Sequence, residues 1–235
     1  MENQIAENIR QVRERVVTAA KRAGRNPKEV TLIAVSKTKP VEMLSAAYAA
    51  GERQFGENKV QELCAKFPAM PEDTVWHMIG HLQTNKVRQV IDKAALIHSL
   101  DNIKLAQVIQ SEAEKRERIC DVLLEVNIAG EDSKYGLAPE GVEKFVREIA
   151  KFDRIHVCGL MTVAPFTQNP GENREYFRQM KRLAVDISTK NIDNVSMKVL
   201  SMGMTGDYEV AVEEGATMVR VGTGIFGERE YNIKE

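Results

Sequence analysis

The chain has 235 residues, 43% hydrophobic and 29% charged, an ordinary composition for a folded domain that excludes a disordered or fibrous chain. Its 33 Lys and Arg balance 34 Asp and Glu, so no overall field draws it to nucleic acid or an anionic membrane, and any anionic ligand must be captured by a local site. No apolar run is long enough to cross a bilayer, and the mixed-charge opening MENQIAENIRQVRERVV lacks a signal-peptide core.

Ile5, Ile9, Val12 and Val16 recur at helical spacing, which predicts an amphipathic helix ending near Gly24. Short β-branched runs then alternate with helical segments. The predicted strands are 30–37, 53–57, 75–80, 96–100, 121–128, 154–163, 195–202 and 218–223, with helix-like stretches such as NIKLAQVIQSEAEKRE, PEGVEKFVREIAKF and NREYFRQMKRLAVDIS between them. Eight β-then-α units in a chain of this length give a (β/α)₈ barrel, whose usual length is about 250 residues. Several strands are nearly continuous in apolar residues, as parallel strands buried on both faces require. We therefore expect one α/β domain over 1–235, with residues 1–24 as a helix capping the barrel's amino-terminal end and no C-terminal β domain. A doubly wound open sheet is the competing architecture.

In either fold, ligands meet the carboxyl ends of the strands. Lys37 stands at that end of the first strand, on the same face as Ile33 and Val35, where partial desolvation frees its amine to attack a carbonyl. Its competing reading is a lysine that snorkels out of a strand end. Lys39 has the same parity but precedes Pro40, and is expected to reach solvent. The last two strands run into Ser201-Met202-Gly203-Met204-Thr205-Gly206-Asp207 and Gly222-Thr223-Gly224-Ile225-Phe226-Gly227. Glycines let backbone N–H groups approach an anion, hydroxyls complete its coordination, and the loops after strands seven and eight are the frequent phosphate site of barrels. A barrel closes strand eight onto strand one, so this cradle lies beside Lys37. An amine for an aldehyde and a cradle for a phosphate together describe pyridoxal 5′-phosphate (PLP). Arg220, on the inward face of strand eight, would meet the pyridine nitrogen of such a cofactor or a buried carboxylate.

Residues 222–227 also read as GxGxxG, but only eight residues follow Gly227, too few for a dinucleotide-binding helix and strand. His77 and His81 are four apart in a strand-then-turn, where that spacing does not align two imidazoles, so no metal site is expected; His77 lines the barrel mouth or is a satisfied core group. Cys64, Cys120 and Cys158 are scattered and free of CxxC, which suits reduced cysteines in a cytoplasmic protein. Met161, Met202, Met204 and Met218 read as flexible core filling. No GxSxG elbow, P-loop or nucleophilic cysteine context appears.

The segments LIAVSKTKP (32–40), RQFGENKVQE (53–62), WHMIGHLQTNK (76–86), VNIAGEDSKYGL (126–137), GLMTV (159–163) and LSMGMTGDYEVAVEEGATMVRVGTGIFGER (200–229) resemble the pyridoxal-phosphate homeostasis family, barrels similar to the cofactor-binding domain of alanine racemase. The resemblance spans nearly the whole chain. It implies an internal aldimine on Lys37, phosphate-binding loops at Ser201, Gly222 and Thr223, Arg220 near the pyridine nitrogen, and Asn58 and His77 lining the pocket. The chain departs at His81, where relatives often carry proline, and at Thr205, often serine. Alanine racemases add a β-rich domain that brings a tyrosine to the partner's site, whereas this chain stops about eight residues past its last glycine turn. Proton transfer at Cα then lacks an acid/base on the second face. The expected role is a monomeric carrier or buffer of PLP, in transient contact with PLP-dependent apo-enzymes at most and with no catalytic residue. A small racemase, or a barrel for another phosphorylated ligand, is the alternative.

Overall fold

A computed structural model describes residues 2–131 and 133–228. Helix α1 (Glu2–Arg22) comes first. Strand–helix units follow: β1 (Thr31–Val35) and α2 (Val41–Ala49), β2 (Gln54–Glu57) and α3 (Val60–Lys66), β3 (Val75–Met78) and α4 (Val87–Val90), β4 (Ala94–Leu100) and α5 (Ile103–Glu114). The second half repeats the pattern with β5 (Cys120–Glu125) and α6 (Val142–Ile149), β6 (Ile155–Met161) and α7 (Arg174–Ser188), β7 (Val195–Met204) and α8 (Tyr208–Glu213), β8 (Met218–Val221) and α9 (Thr223–Phe226). All eight strands expected from the sequence form, and they pair in parallel, in chain order, into a closed barrel, β8 returning to β1 through Ile33 opposite Arg220. The open-sheet alternative is thereby removed.

Closure divides each strand's side chains into two sets. Outward residues such as Leu32, Ala34, Phe55, Trp76, Ile97 and Val157 join the inner faces of the helices in one large apolar layer. Inward residues Leu96, Leu123 and Met161 form a smaller cluster inside the barrel, flanked by Cys158, Val199 and Met218. Met202 is fully buried, but Met204 is 39% exposed at the end of β7, so the core-filling reading fails for it.

α1 buries Ile5, Ile9, Val12, Val16, Ala19 and Ala20, and its neighbours are α2, α8 and α9. Asn8 near its start bonds Ile225 O beyond β8, whereas Arg25, just past its end, bonds Val212 O and Ala216 O before β8. The helix thus runs antiparallel to the strands in the outer ring, not across the amino-terminal mouth as the sequence suggested. The reason is local: α9, which follows β8, is four residues long and leaves the ring open between α8 and α2. No helix among the described residues is long and apolar enough to cross a membrane.

Candidate functional site

Lys37 lies half-buried in the turn just past β1, at the carboxyl mouth of the barrel. Its neighbour across the seam is Gly222: a Cβ added there would sit 3.4 Å from Val35 O and Val35 Cβ. Lys39 is half-buried and turns back onto the chain at the surface. Its ammonium donates to the carbonyls of Phe226 (3.2 Å), Gly227 (3.1 Å) and Glu228 (2.8 Å), because the end of α9 presents unsatisfied carbonyls within its reach. Asn58, half-buried after β2, is clamped by the loop beyond β3: a Cβ on Gly80 would fall 2.4 Å from Asn58 O.

Arg220 points into the barrel and is 4% exposed. It donates to Ser201 Oγ (2.7 Å) and to Thr162 O (2.8 Å), both neutral acceptors. Burial pulls its pKa down to about 10 although Asp207 and Glu125 oppose the shift. Ser201 lies inside β7 rather than in the loop after it, and its hydroxyl also meets His98 Nδ1 at 3.0 Å. His98 Nε2 meets His77 Nδ1 at 3.0 Å, and His77 Nε2 meets Gln54 Oε1 at 2.7 Å.

The direction of this chain follows from its last member. The amide oxygen of Gln54 can only accept, so His77 donates from Nε2 and, being neutral, accepts at Nδ1 from His98 Nε2. His98 then accepts at Nδ1 from the Ser201 hydroxyl, which in turn accepts from Arg220. Both imidazoles are neutral, held there by burial: the His77 pKa falls to about 4 and that of His98 well below its ordinary value. His77, 2% exposed, is a satisfied core group whose two nitrogens are both engaged, so it faces His98 and Gln54 rather than the open mouth.

The glycine loop after β8 supplies the third component. Gly222 N and Gly224 N both point at Thr205 Oγ1, across long contacts of 3.4 and 3.3 Å. Two amides converging on one oxygen are the arrangement that a phosphate oxygen requires. Thr223, between them, is exposed. Thr205 is held in place because Asp207 caps its turn: Asp207 Oδ1 accepts from Met204 N (2.7 Å), and Oδ2 accepts from Asn173 Nδ2 (2.8 Å). Gly203, at φ +90°, makes the bend that leads there, and a Cβ on it would lie 2.5 Å from that of Ala211.

Two further groups line this end. Glu125, at the carboxyl end of β5, has a buried oxygen without a partner, and its pKa rises to about 7, chiefly through burial and then through Asp101, with Arg220 opposing. His81 and Tyr135 stack at 3.9 Å between ring centroids, Tyr135 being 58% exposed on the rim. At the barrel's other end, Asp121, His156 and Cys158 converge within 4.8 Å, with His156 Nδ1 bonded to Asp121 at 2.9 Å.

The structure therefore gathers Lys37, Asn58, Gly222 and Thr223 at the carboxyl mouth, places Arg220 and Ser201 together inside the barrel, and reaches His77 only through His98. Reading the sequence missed His98, Gln54, Glu125 and the oxygen of Thr205. His98 and Gln54 carried a usable signal, since inward positions of neighbouring barrel strands must meet. Glu125 carried none, because a carboxylate at a strand end is common.

A family model described as the N-terminal domain of alanine racemase matches residues 2–230. The chain belongs to this family. Within the family's reach are the pyridoxal phosphate homeostasis proteins of Aquifex aeolicus, 44% identical over 96% of this chain and 98% of the relative, and of Escherichia coli K12, 38% identical over 99% and 100%. PipY of Synechococcus elongatus PCC7942, solved with PLP bound, superposes with a TM-score of 0.82 at 34% identity, over 95% of this chain and 100% of PipY. An alanine racemase of Clostridium difficile 630 (TM-score 0.76, 12% identity) covers 98% of this chain but only 58% of its own, and shares the fold alone.

Proposed function

We propose that this chain binds PLP at the carboxyl mouth of its barrel and serves in intracellular PLP homeostasis as a carrier or buffer, not as a catalyst. One observation carries the reading: a half-buried lysine after β1 stands across the seam from two amides that converge on a single oxygen. The full-length relatives named for PLP homeostasis, and PipY with PLP bound, support it. When bound, the cofactor supplies an aldehyde that condenses with a lysine amine, and a ring that withdraws electrons when its nitrogen is protonated.

The chain's own groups then have separate roles. Lys37 is the attachment point. Gly222, Gly224 and Thr223, with the hydroxyl of Thr205, hold the phosphate. Arg220, whose orientation is fixed by Ser201 and Thr162 O, would donate to the pyridine nitrogen and hold it unprotonated, which would weaken the ring as an electron sink. Asn58 borders the ring. A cofactor so held is stored more readily than it is used. Monomeric state, cytoplasmic location and transient contact with PLP-dependent apo-enzymes complete the proposal.

The test is spectroscopic and chemical. The purified chain is expected to carry an absorption band in the near-ultraviolet or visible, and borohydride is expected to fix the adduct on Lys37 in a mapped peptide. Incubation with alanine in deuterated water is expected to show no sustained α-proton exchange. An unlabelled chain after incubation with PLP removes the cofactor, whereas exchange that depends on Lys37 replaces the carrier with a racemase.

A further inference from the structure

A group of charges outside the pocket holds the backbone on both sides of Lys37. On one side, Ser36 O accepts from Lys66 Nζ at 2.9 Å, and Ser36 Oγ donates to Glu57 Oε1 at 2.7 Å. On the other, Thr38 N donates to Glu62 Oε2 at 2.6 Å. Lys66 ties the two carboxylates together, at 2.7 Å to Glu57 and 3.1 Å to Glu62. Glu57 ends β2, and Glu62 and Lys66 are one turn apart on α3, so the cluster belongs to the neighbouring unit of the barrel.

Two features mark it as more than packing. Thr38 has φ +64°, the left-handed region, which is a genuine outlier for a β-branched residue and needs an external hold. The carboxylate that receives its N–H supplies that hold. Moreover, Glu57 is fully buried and Lys66 is 7% exposed. Apolar side chains of similar size would stabilise the fold at least as well as a buried ion pair, so the charges are better explained by the geometry they fix.

We infer that Glu57, Lys66 and Glu62 are positioning residues that lock the Ser36–Lys37–Thr38 turn and thereby present the Lys37 amine to the mouth of the barrel. The inference rests on the reading of Lys37 as the attachment point. Without the lock, Thr38 relaxes to negative φ and the Lys37 side chain leaves the barrel in several directions, so adduct formation is penalised while the fold persists. Glycine at position 38 takes left-handed φ without strain, so Thr38→Gly makes the lock largely dispensable.

The experiment is a double-mutant cycle of Glu62→Ala and Thr38→Gly, with Lys37→Ala as the reference for unattached cofactor. Glu62 is chosen because its side chain is 23% exposed and its loss spares the buried pair. PLP affinity is read from titration of the Lys37-dependent band, and amide hydrogen exchange of Thr38 is read in the apo-protein. Glu62→Ala is expected to weaken PLP binding about 10- to 100-fold and to remove protection at Thr38, and to do so by less than threefold in the Thr38→Gly background. Unchanged exchange at Thr38, or lost protection with unchanged affinity, overturns the inference. A parent chain that binds PLP no differently from Lys37→Ala overturns the functional reading instead, and the exchange measurement still decides whether the turn is locked.

Discussion

At the scale of single residues, protonation is where this molecule is most exposed to its conditions. Two groups inside the barrel respond to pH with opposite sign over an overlapping range. His77 takes a proton readily when unfolded but only near pH 4 when folded, so the stability gained from its neutral form is lost as pH falls from about 6.5 towards 4. Glu125 does the reverse. Its folded pKa of about 7 exceeds the unfolded value, so the folded state binds the extra proton, and stability is lost as pH rises from about 4.5 through 7. Glu125→Gln is therefore expected to match the parent near pH 4.5 and to exceed it above pH 7 by on the order of 2 kcal/mol, read from urea denaturation at each pH. A constant offset across pH would remove the burial account of this carboxyl. The tautomers make a second prediction: nitrogen NMR of the folded chain at pH 7 should show both His77 and His98 protonated on Nε2 alone. His98→Leu leaves the Ser201 hydroxyl proton and His77 Nδ1 unsatisfied in the interior, although Arg220 and Gln54 stay in place, and is expected to cost about 2–4 kcal/mol of stability. The placement of Lys37 at the barrel mouth and of Arg220 on the inward face of β8 was legible in the sequence, because chain position and, for Arg220, strand parity are local facts; the expected first strand ran on to 37, whereas β1 ends at Val35. The Arg220–Ser201–His98–His77–Gln54 chain was not, because its five members lie on five strands and meet only through the stagger of a closed barrel.

At the scale of elements, the alternation of apolar runs and helical periods sufficed for all eight strands. Their ends were less legible. β7 was expected to stop at 202, before its glycine, but runs on through Gly203 to Met204, because a left-handed glycine bends the strand over α8 without breaking it. The extension takes Gly203 and Met204 into the strand and leaves Thr205, the first residue past it, as the hydroxyl of the anion loop. The first helix was predicted correctly as an element and misplaced as a cap. Periodicity shows that a helix has an apolar stripe but not which surface covers it. Since Val12 is 5% exposed and turned towards the outer-ring helices, Val12→Asp is expected to cost about 3 kcal/mol or more, measured by urea or thermal denaturation. A variant of unchanged stability would mean that α1 is not part of the ring. Substitution of Arg10, whose pairs with Glu7 and Glu14 are exposed, should leave the transition where it is.

At the scale of the whole molecule, the barrel keeps its two ends chemically distinct. One holds an amine, an inward guanidinium and convergent amides, and the other an Asp121–His156–Cys158 group on β5 and β6. The placement of α1 also bears on how the chain reaches this state. The helix leaves the ribosome before every strand of the barrel, with its apolar stripe complete, yet two of the three helices that cover that stripe, α8 and α9, are made only after β7. The seam between β8 and β1 closes at the same late moment. Synthesis thus carries an unshielded amphipathic helix until the α8–α9 segment emerges, a window in which a chaperone or a second nascent copy competes with that segment for the same surface.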